Sequence, residues 1–227
     1  MPHGHDDMAI EADGLGKRFG TRWVLRGVTL NVRNGEAVAL RGSNGSGKST
    51  VLRIIGTLLR PNAGRVEVNG VDVVSDAASV RSDVGYLAHT PGLYDDLTAF
   101  ENLEFAADML GVTRSTVESS IERVGLVGMA DSRVRGFSAG MQRRLALARL
   151  IMRSPTVLLL DEPYSNLDEE GVALMNAFIR DVTASGGAAL LALHELAPAT
   201  GIINRVLTLT DGRISPPETN TLELAAM

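Results

Sequence analysis

The chain contains no cysteine. Disulfides are excluded, and so is any metal centre built on thiolates. Such usage is compatible with a reducing cytoplasm. No apolar run approaches the roughly 18–20 residues needed to span a bilayer, and the N-terminus lacks the apolar stretch of a signal peptide. Any membrane role is therefore expected to come through another chain. Basic residues are not in excess: 22 Lys and Arg stand against 27 Asp and Glu, a formal net charge of −5, with no basic stripe. That balance argues against a nucleic-acid partner. Neither an internal repeat nor a low-complexity block is present. What remains is an ordinary globular composition, 44% hydrophobic and 22% charged, in 227 residues. That length suits one domain, or one domain with an inserted lobe, and a substantial core.

One stretch organises the chain: Gly42-Ser43-Asn44-Gly45-Ser46-Gly47-Lys48-Ser49-Thr50. It fits G-x-x-x-x-G-K-[ST], the phosphate-binding P-loop. An apolar run, Ala37-Val38-Ala39-Leu40, precedes it, and Val51, Ile54, Ile55 and Leu58 follow at helical spacing. The glycines let successive N–H groups face one point, and the helix start adds positive potential there. Lys48 can reach the β- and γ-phosphates, and the Ser49 hydroxyl is placed to ligate Mg²⁺.

Upstream, residues 1–7 read as a tail. His3, His5, Asp6 and Asp7 could bind a metal, but a frayed terminus is the simpler reading. Residues 9–32 carry short β-type segments, with 28–32 alternating. Phe19 is either an adenine-stacking aromatic or a core residue. Downstream, residues 65–68 alternate as a strand before the Asn69-Gly70 turn signal, and residues 84–87 read as another strand. From about 91 to 155 the periodicity becomes helical. Leu103, Ala106, Ala107 and Leu110 share one face, Val117, Ile121 and Val124 a second, and Leu145, Ala148, Arg149 and Met152 a third. Met109, Met141 and Met152 read as gap-fillers. This block looks like a helical insertion into an α/β core.

Alternation of strands and helices then resumes. Val157–Leu160 is continuously apolar, as in a parallel strand covered on both faces. A helix is expected over 169–183 with Asp168 as its N-cap, then a buried strand over 188–193 and a final hairpin over 206–214. Residues 216–227 read as a second tail. In an open α/β sheet, ligands gather at the carboxyl ends of the strands. One such end carries Asp161 and Glu162. A carboxylate closing an apolar strand is costly unless it meets Mg²⁺ or its water shell, and Glu162 could take a proton from an attacking water. The bland alternative is a helix-capping pair. A second end carries His194, alone a structural histidine, beside the other two a contact for the γ-phosphate.

Together these residues resemble the nucleotide-binding subunit of an ATP-binding-cassette (ABC) transporter, over almost the whole chain. The Walker A motif corresponds to Gly42–Thr50 and the Walker B motif with its glutamate to Val157–Glu162. The signature corresponds to Phe137-Ser138-Ala139-Gly140-Met141-Gln142, the D-loop to Ser165-Asn166-Leu167-Asp168, the switch histidine to His194 and the adenine-stacking aromatic to Phe19. The resemblance implies a P-loop NTPase core with an antiparallel β subdomain and an inserted α-helical subdomain, forming one domain over 8–215. It implies ATP and Mg²⁺ as cofactors, a second ATPase subunit (most simply an identical one), and integral membrane transporter subunits at the cytoplasmic face of the membrane. It also implies head-to-tail closure, with each ATP between one chain's P-loop and the other's signature.

Two motifs depart from the family pattern. Ala139 and Met141 replace the usual glycine and glutamine of the signature. His89, or Thr90, stands where the family carries a coupling-loop glutamine; a solvent-facing loop histidine is the plain alternative. The run Tyr86–Leu93, then Leu97–Leu103, with Ala139 in the signature, is similar to the ATPase of the haem exporter used in cytochrome c maturation. Drug, polysaccharide or lipid exporters share much of it. A soluble ABC ATPase of translation or repair would usually carry two cassettes or a long insertion. A small-molecule kinase would not need the signature or His194, and Glu162 with His194 argues against a sensor that binds without turnover.

Overall fold

Val28, Leu30 and Val32 are buried while Thr29 and Asn31 are exposed, so the alternation read from the sequence makes a strand with one covered face. A computed structural model describes residues 7–215. The expected tails at 1–6 and 216–227, with His3, His5 and Asp6, lie outside them. Asp7 does not behave as tail: its carbonyl accepts from the Asn34 N–H at 3.0 Å.

The first β region is more extended than the short segments expected. It consists of two 12-residue strands, β1 (Met8–Phe19) and β2 (Arg22–Arg33), paired antiparallel. Among the described residues the strands form two sheets. The first has the order β2-β1-β4-β5 and includes β4 (Ala63–Val68) and β5 (Val71–Asp72). The Asn69-Gly70 turn joins the last two, both residues at positive φ (48° and 75°), as a type I′ hairpin requires.

The second sheet comprises β3 (Ala37–Arg41), β6 (Val84–Leu87), β7 (Val157–Asp161), β8 (Ala188–Leu193), β9 (Arg205–Thr210) and β10 (Arg213–Ile214). Its order is β10-β9-β3-β8-β7-β6, parallel throughout except for the edge pair β9–β10. The continuously apolar strands feed two cores at once. Val38, Leu40, Val157, Leu159 and Leu190 face one side, against α1 (Lys48–Ile55) and the antiparallel sheet. Ala39, Leu158, Leu160 and Leu191 face the other, against the remaining helices.

Those helices are α3 (Ala99–Leu110), α4 (Arg114–Arg123), α5 (Ala139–Met152) and α6 (Glu169–Ala184). A capping box starts α3: Thr98 Oγ1 accepts from the Glu101 N–H and the Glu101 carboxylate from the Thr98 N–H. Leu103, Ala106, Ala107, Val117 and Ile121 are buried as their spacing requires. Asp168 caps α6 as expected, accepting from the Gly171 N–H at 2.9 Å. Two further points differ from the sequence reading. A short helix, α2 (Ala77–Asp83), precedes β6, started by Asp76. Leu58 does not extend the P-loop helix, which ends at Ile55, and its side chain is exposed.

Candidate functional site

Three adjacent strands, β3, β8 and β7, run parallel and deliver their chemistry to one edge. The P-loop follows β3, His194 follows β8, and Asp161 closes β7 with Glu162 beside it. They surround a cleft of about 700 Å³. Asn44, Gly45, Gly47, Lys48, Ser49 and Thr50 line one wall. Asp161, Glu162, Ser165, His194, His89, Arg22 and Val24 complete the lining. The P-loop, the carboxylate pair and His194 thus meet at one cavity although they span more than half the chain; Gly42, Ser43 and Ser46 are not among its lining residues.

Sharp backbone curvature forms the P-loop wall. Gly47 sits at φ 113° as the N-cap of α1, and a Cβ there would lie 2.7 Å from Leu25 Cδ2. Only glycine meets both conditions. Ser46 is buried and its hydroxyl oxygen has no hydrogen-bond partner. Lys48 is also buried, its Nζ donating to the Gly42 carbonyl at 2.7 Å and the Ser43 carbonyl at 3.2 Å. Burial pulls the Lys48 ammonium below its ordinary pKa, against the opposing pull of Glu162 and Asp161. The cation is therefore held inside the loop, facing both carboxylates.

Asp161 is 4% exposed. Glu162 lies in the left-handed region at φ 50°, which costs a side-chain-bearing residue about 1–2 kcal/mol. Its Oε1 lies 3.2 Å from His194 Nε2, yet that oxygen is buried without an aligned hydrogen bond. Glu162 is thus a strained residue presenting a poorly satisfied carboxylate oxygen beside the P-loop.

The signature segment lies elsewhere. None of Phe137–Gln142 lines the cleft. Ser138 is exposed and caps α5, accepting from the Met141 N–H at 3.2 Å, while Phe137 is buried in the helical core. Ala139 is exposed; Gly140, Met141 and Gln142 are partly so. Gly140 packs against the 165–168 loop so closely that a Cβ would lie 2.7 Å from the Asn166 carbonyl. Arg144 on α5 donates to Asp168 at 2.6 Å and Glu170 at 3.0 Å. Asp168 is thus a helix cap and an ion-pair partner rather than a lining residue, its carboxyl held low first by Arg144 and then by the Gly171 N–H. Phe19 is half-exposed and outside the cleft lining, with Lys17 Nζ 5.4 Å from its ring; its cross-strand partner Arg22 does belong to that lining.

The sequence reading missed Arg22 and Val24 in the lining and Arg143 behind it; of the D-loop it named, Ser165 rather than Asp168 reaches the cleft. Arg143 is 2% exposed and donates to backbone carbonyls at both Ala88–His89 and Asp161–Pro163. A charged residue among buried Leu145, Ala146 and Leu147 on one helix was the available signal.

Comparison with known proteins agrees with this geometry. The family model described as ABC transporter matches residues 25–165. Daunorubicin resistance ATP-binding protein DrrA3 of Streptomyces coeruleorubidus is 38% identical over 92% of the chain and 67% of that relative. Cytochrome c biogenesis ATP-binding export protein CcmA of Xanthomonas axonopodis pv. citri is 40% identical over 79% of the chain and 84% of that relative. Among solved structures, a dimeric post-hydrolysis state of the ATP-binding cassette MJ0796 bound to ADP and Pi superposes with a TM-score of 0.82 at 26% identity, covering 92% of this chain and 97% of that one. No helix of the described residues is long and apolar enough to cross a membrane. With its P-loop, paired carboxylates and histidine around one cleft, the chain belongs to the ABC transporter family as an ATP-binding, ATP-hydrolysing subunit.

Proposed function

We propose that the chain powers the haem exporter of cytochrome c maturation from the cytoplasmic face of the membrane, through a separate membrane subunit. The observation that carries this reading is the 86–103 segment with Ala139 in the signature, together with 40% identity to a cytochrome c biogenesis export ATPase. The match to a daunorubicin resistance protein over 92% of the chain favours a second reading, export of a drug-like molecule. Recognition of cargo lies in the membrane partner under either reading. The experiment is ATPase stimulation in the complex isolated with its membrane partner. Haem export requires stimulation by haem and none by an anthracycline; the reverse pattern establishes the second reading.

In the proposed mechanism, residues 8–215 act as one nucleotide-binding domain with a helical lobe over about 91–155. Lys48 and the N–H groups of 45–49 hold the phosphates. Ser49 and Asp161 would hold a divalent metal ion. Both are hard oxygen donors, and no cluster of three or more His, Asp or Glu among the described residues forms a cage. Two hard oxygen donors fit Mg²⁺, which is bound through one or two protein oxygens. Bound there, Mg²⁺ supplies charge neutralisation at the phosphates. Glu162 accepts the proton of the attacking water and His194 contacts the γ-phosphate. Phe19 would stack on the adenine.

Because the signature stands away from its own cleft, the site is completed by a second copy, whose Ser138 hydroxyl meets the γ-phosphate. Phe137 and Met141–Gln142 anchor that helix start, and Asp168 holds the adjoining loop. His89, facing the cleft from the loop between β6 and α3, is the proposed contact between nucleotide and membrane partner.

A further inference from the structure

Arg143 is buried in an unusual way. Its guanidinium has five N–H donors in a rigid fork, and its hydrogen-bond acceptors here are five backbone carbonyls rather than a carboxylate. Nε donates to Pro163 at 3.2 Å. Nη1 donates to Ala88 at 2.6 Å and His89 at 3.3 Å. Nη2 donates to Asp161 at 2.9 Å and also to Glu162. One side chain therefore joins three segments that are distant in sequence: the loop after β6, the carboxylate-bearing end of β7, and the helix that begins at Ser138.

A second arginine, Arg149 on the same helix, extends this attachment. Its Nη2 donates to Pro91 at 2.7 Å and its Nη1 to Gly92 at 2.8 Å. The backbone of 88–92 is thus fastened to α5 at four carbonyls. Two side chains of the helix that Ser138 caps thus hold the loop. Arg143 alone of the two also holds Glu162, whose backbone occupies the strained left-handed region at φ 50°. A hydrogen bond to the Glu162 carbonyl favours the one backbone conformation that brings its carboxylate to His194.

We propose that Arg143 is a positioning residue: it fixes the Glu162 carboxylate in the cleft, and through it displacement of the 88–92 loop or of α5 reaches that carboxylate. The proposal rests on the reading of Glu162 as proton acceptor. Arg143 is buried and does not line the cleft, so it acts through Glu162. Arg-to-Lys exchange is not conservative here, because one ammonium cannot span both carbonyl sets.

The test is steady-state and single-turnover ATP hydrolysis by the full chain carrying Arg143→Lys, Arg143→Ala, Glu162→Gln, and each Arg143 change combined with Glu162→Gln. The expected result is a tenfold or greater fall in kcat for both Arg143 variants, with the KM for ATP changed less than twofold. In the Glu162→Gln background the same changes should lower the residual rate by less than twofold, because the group they position is gone. Millimolar guanidinium should restore part of the Arg143→Ala rate and none of the Glu162→Gln rate. Arg143→Lys keeps a cation and the packing, so it provides the measurement if Arg143→Ala fails to fold. Wild-type kcat in Arg143→Lys, a rise in KM alone, or effects that multiply in the double variants would overturn the proposal. Wild-type turnover by Glu162→Gln alone would instead remove its premise, and is read separately from the single variant.

Discussion

Replacing Glu162 by Gln changes one group and little else. Gln has the same shape, so the φ of 50° and the Arg143 hydrogen bond to the Glu162 carbonyl are retained. The phosphate wall, with Lys48 donating into the P-loop backbone, is untouched. On the proposed reading the variant loses the proton acceptor, because the amide cannot take a proton from water. General-base removal lowers rates by about 10²–10⁴, or roughly 2.7–5.5 kcal/mol of barrier. Binding should change by less than about 0.4 kcal/mol, a factor of roughly two. Fluorescent-ATP titration gives the affinity, and single-turnover phosphate release gives the chemical step. An affinity within twofold of wild type with release slowed at least 100-fold is expected. Release at more than a third of the wild-type rate would refute the general-base role, and a large loss of affinity would refute the separation of binding from chemistry.

Lys48→Ala should act on binding instead, weakening ATP about 10–100-fold as a charge-assisted contact worth roughly 1.5–3 kcal/mol is lost; isothermal titration checks it. His89→Ala should preserve ATP affinity and lower ATPase activity more in the assembled complex than in the free chain; equal stimulation by the partner in wild type and variant would rule out His89 as the coupling residue. Glu36 links the turn before β3 to β9 through Arg205, with Nε to Oε1 at 2.8 Å. Burial raises the Glu36 pKa, but the hydrogen bonds from Arg205 and the Arg33 N–H outweigh it and leave the pKa below 4.5. A lowered carboxylate pKa gives stability that is present above the unfolded value and lost as pH falls through the folded one. The Tm gap between wild type and Glu36→Gln should therefore be wide at pH 7 and shrink as pH falls below the ordinary carboxylate range and through the lowered folded-state pKa; a gap constant down to acid pH would contradict the linkage.

What was legible in the sequence followed from local rules. The P-loop carries its own glycine spacing, and β7 and β8 announce themselves because strands covered on both faces must be apolar at every position. Asp168 was readable as a cap because capping is set by neighbours three residues away. The order β10-β9-β3-β8-β7-β6 was not readable, since pairing between distant strands leaves no local pattern. Leu58 matched helical spacing, yet the helix stops at Ile55, with Gly56 at its C-cap. Arg143 escaped notice because its acceptors lie 18 to 55 residues away and are backbone atoms, which no side-chain motif records.

The most direct test of the account is whether the cleft is completed by a second copy only when ATP is present. Sedimentation velocity of the Glu162→Gln chain should give a monomer or weak dimer without nucleotide and a two-fold dimer with ATP and Mg²⁺. Adding Ser138→Arg should abolish that dimer while ATP affinity stays within about threefold, roughly 0.65 kcal/mol, because the P-loop contacts belong to the other chain. A tight dimer without ATP, or an ATP-dependent dimer that survives Ser138→Arg, would contradict the composite site.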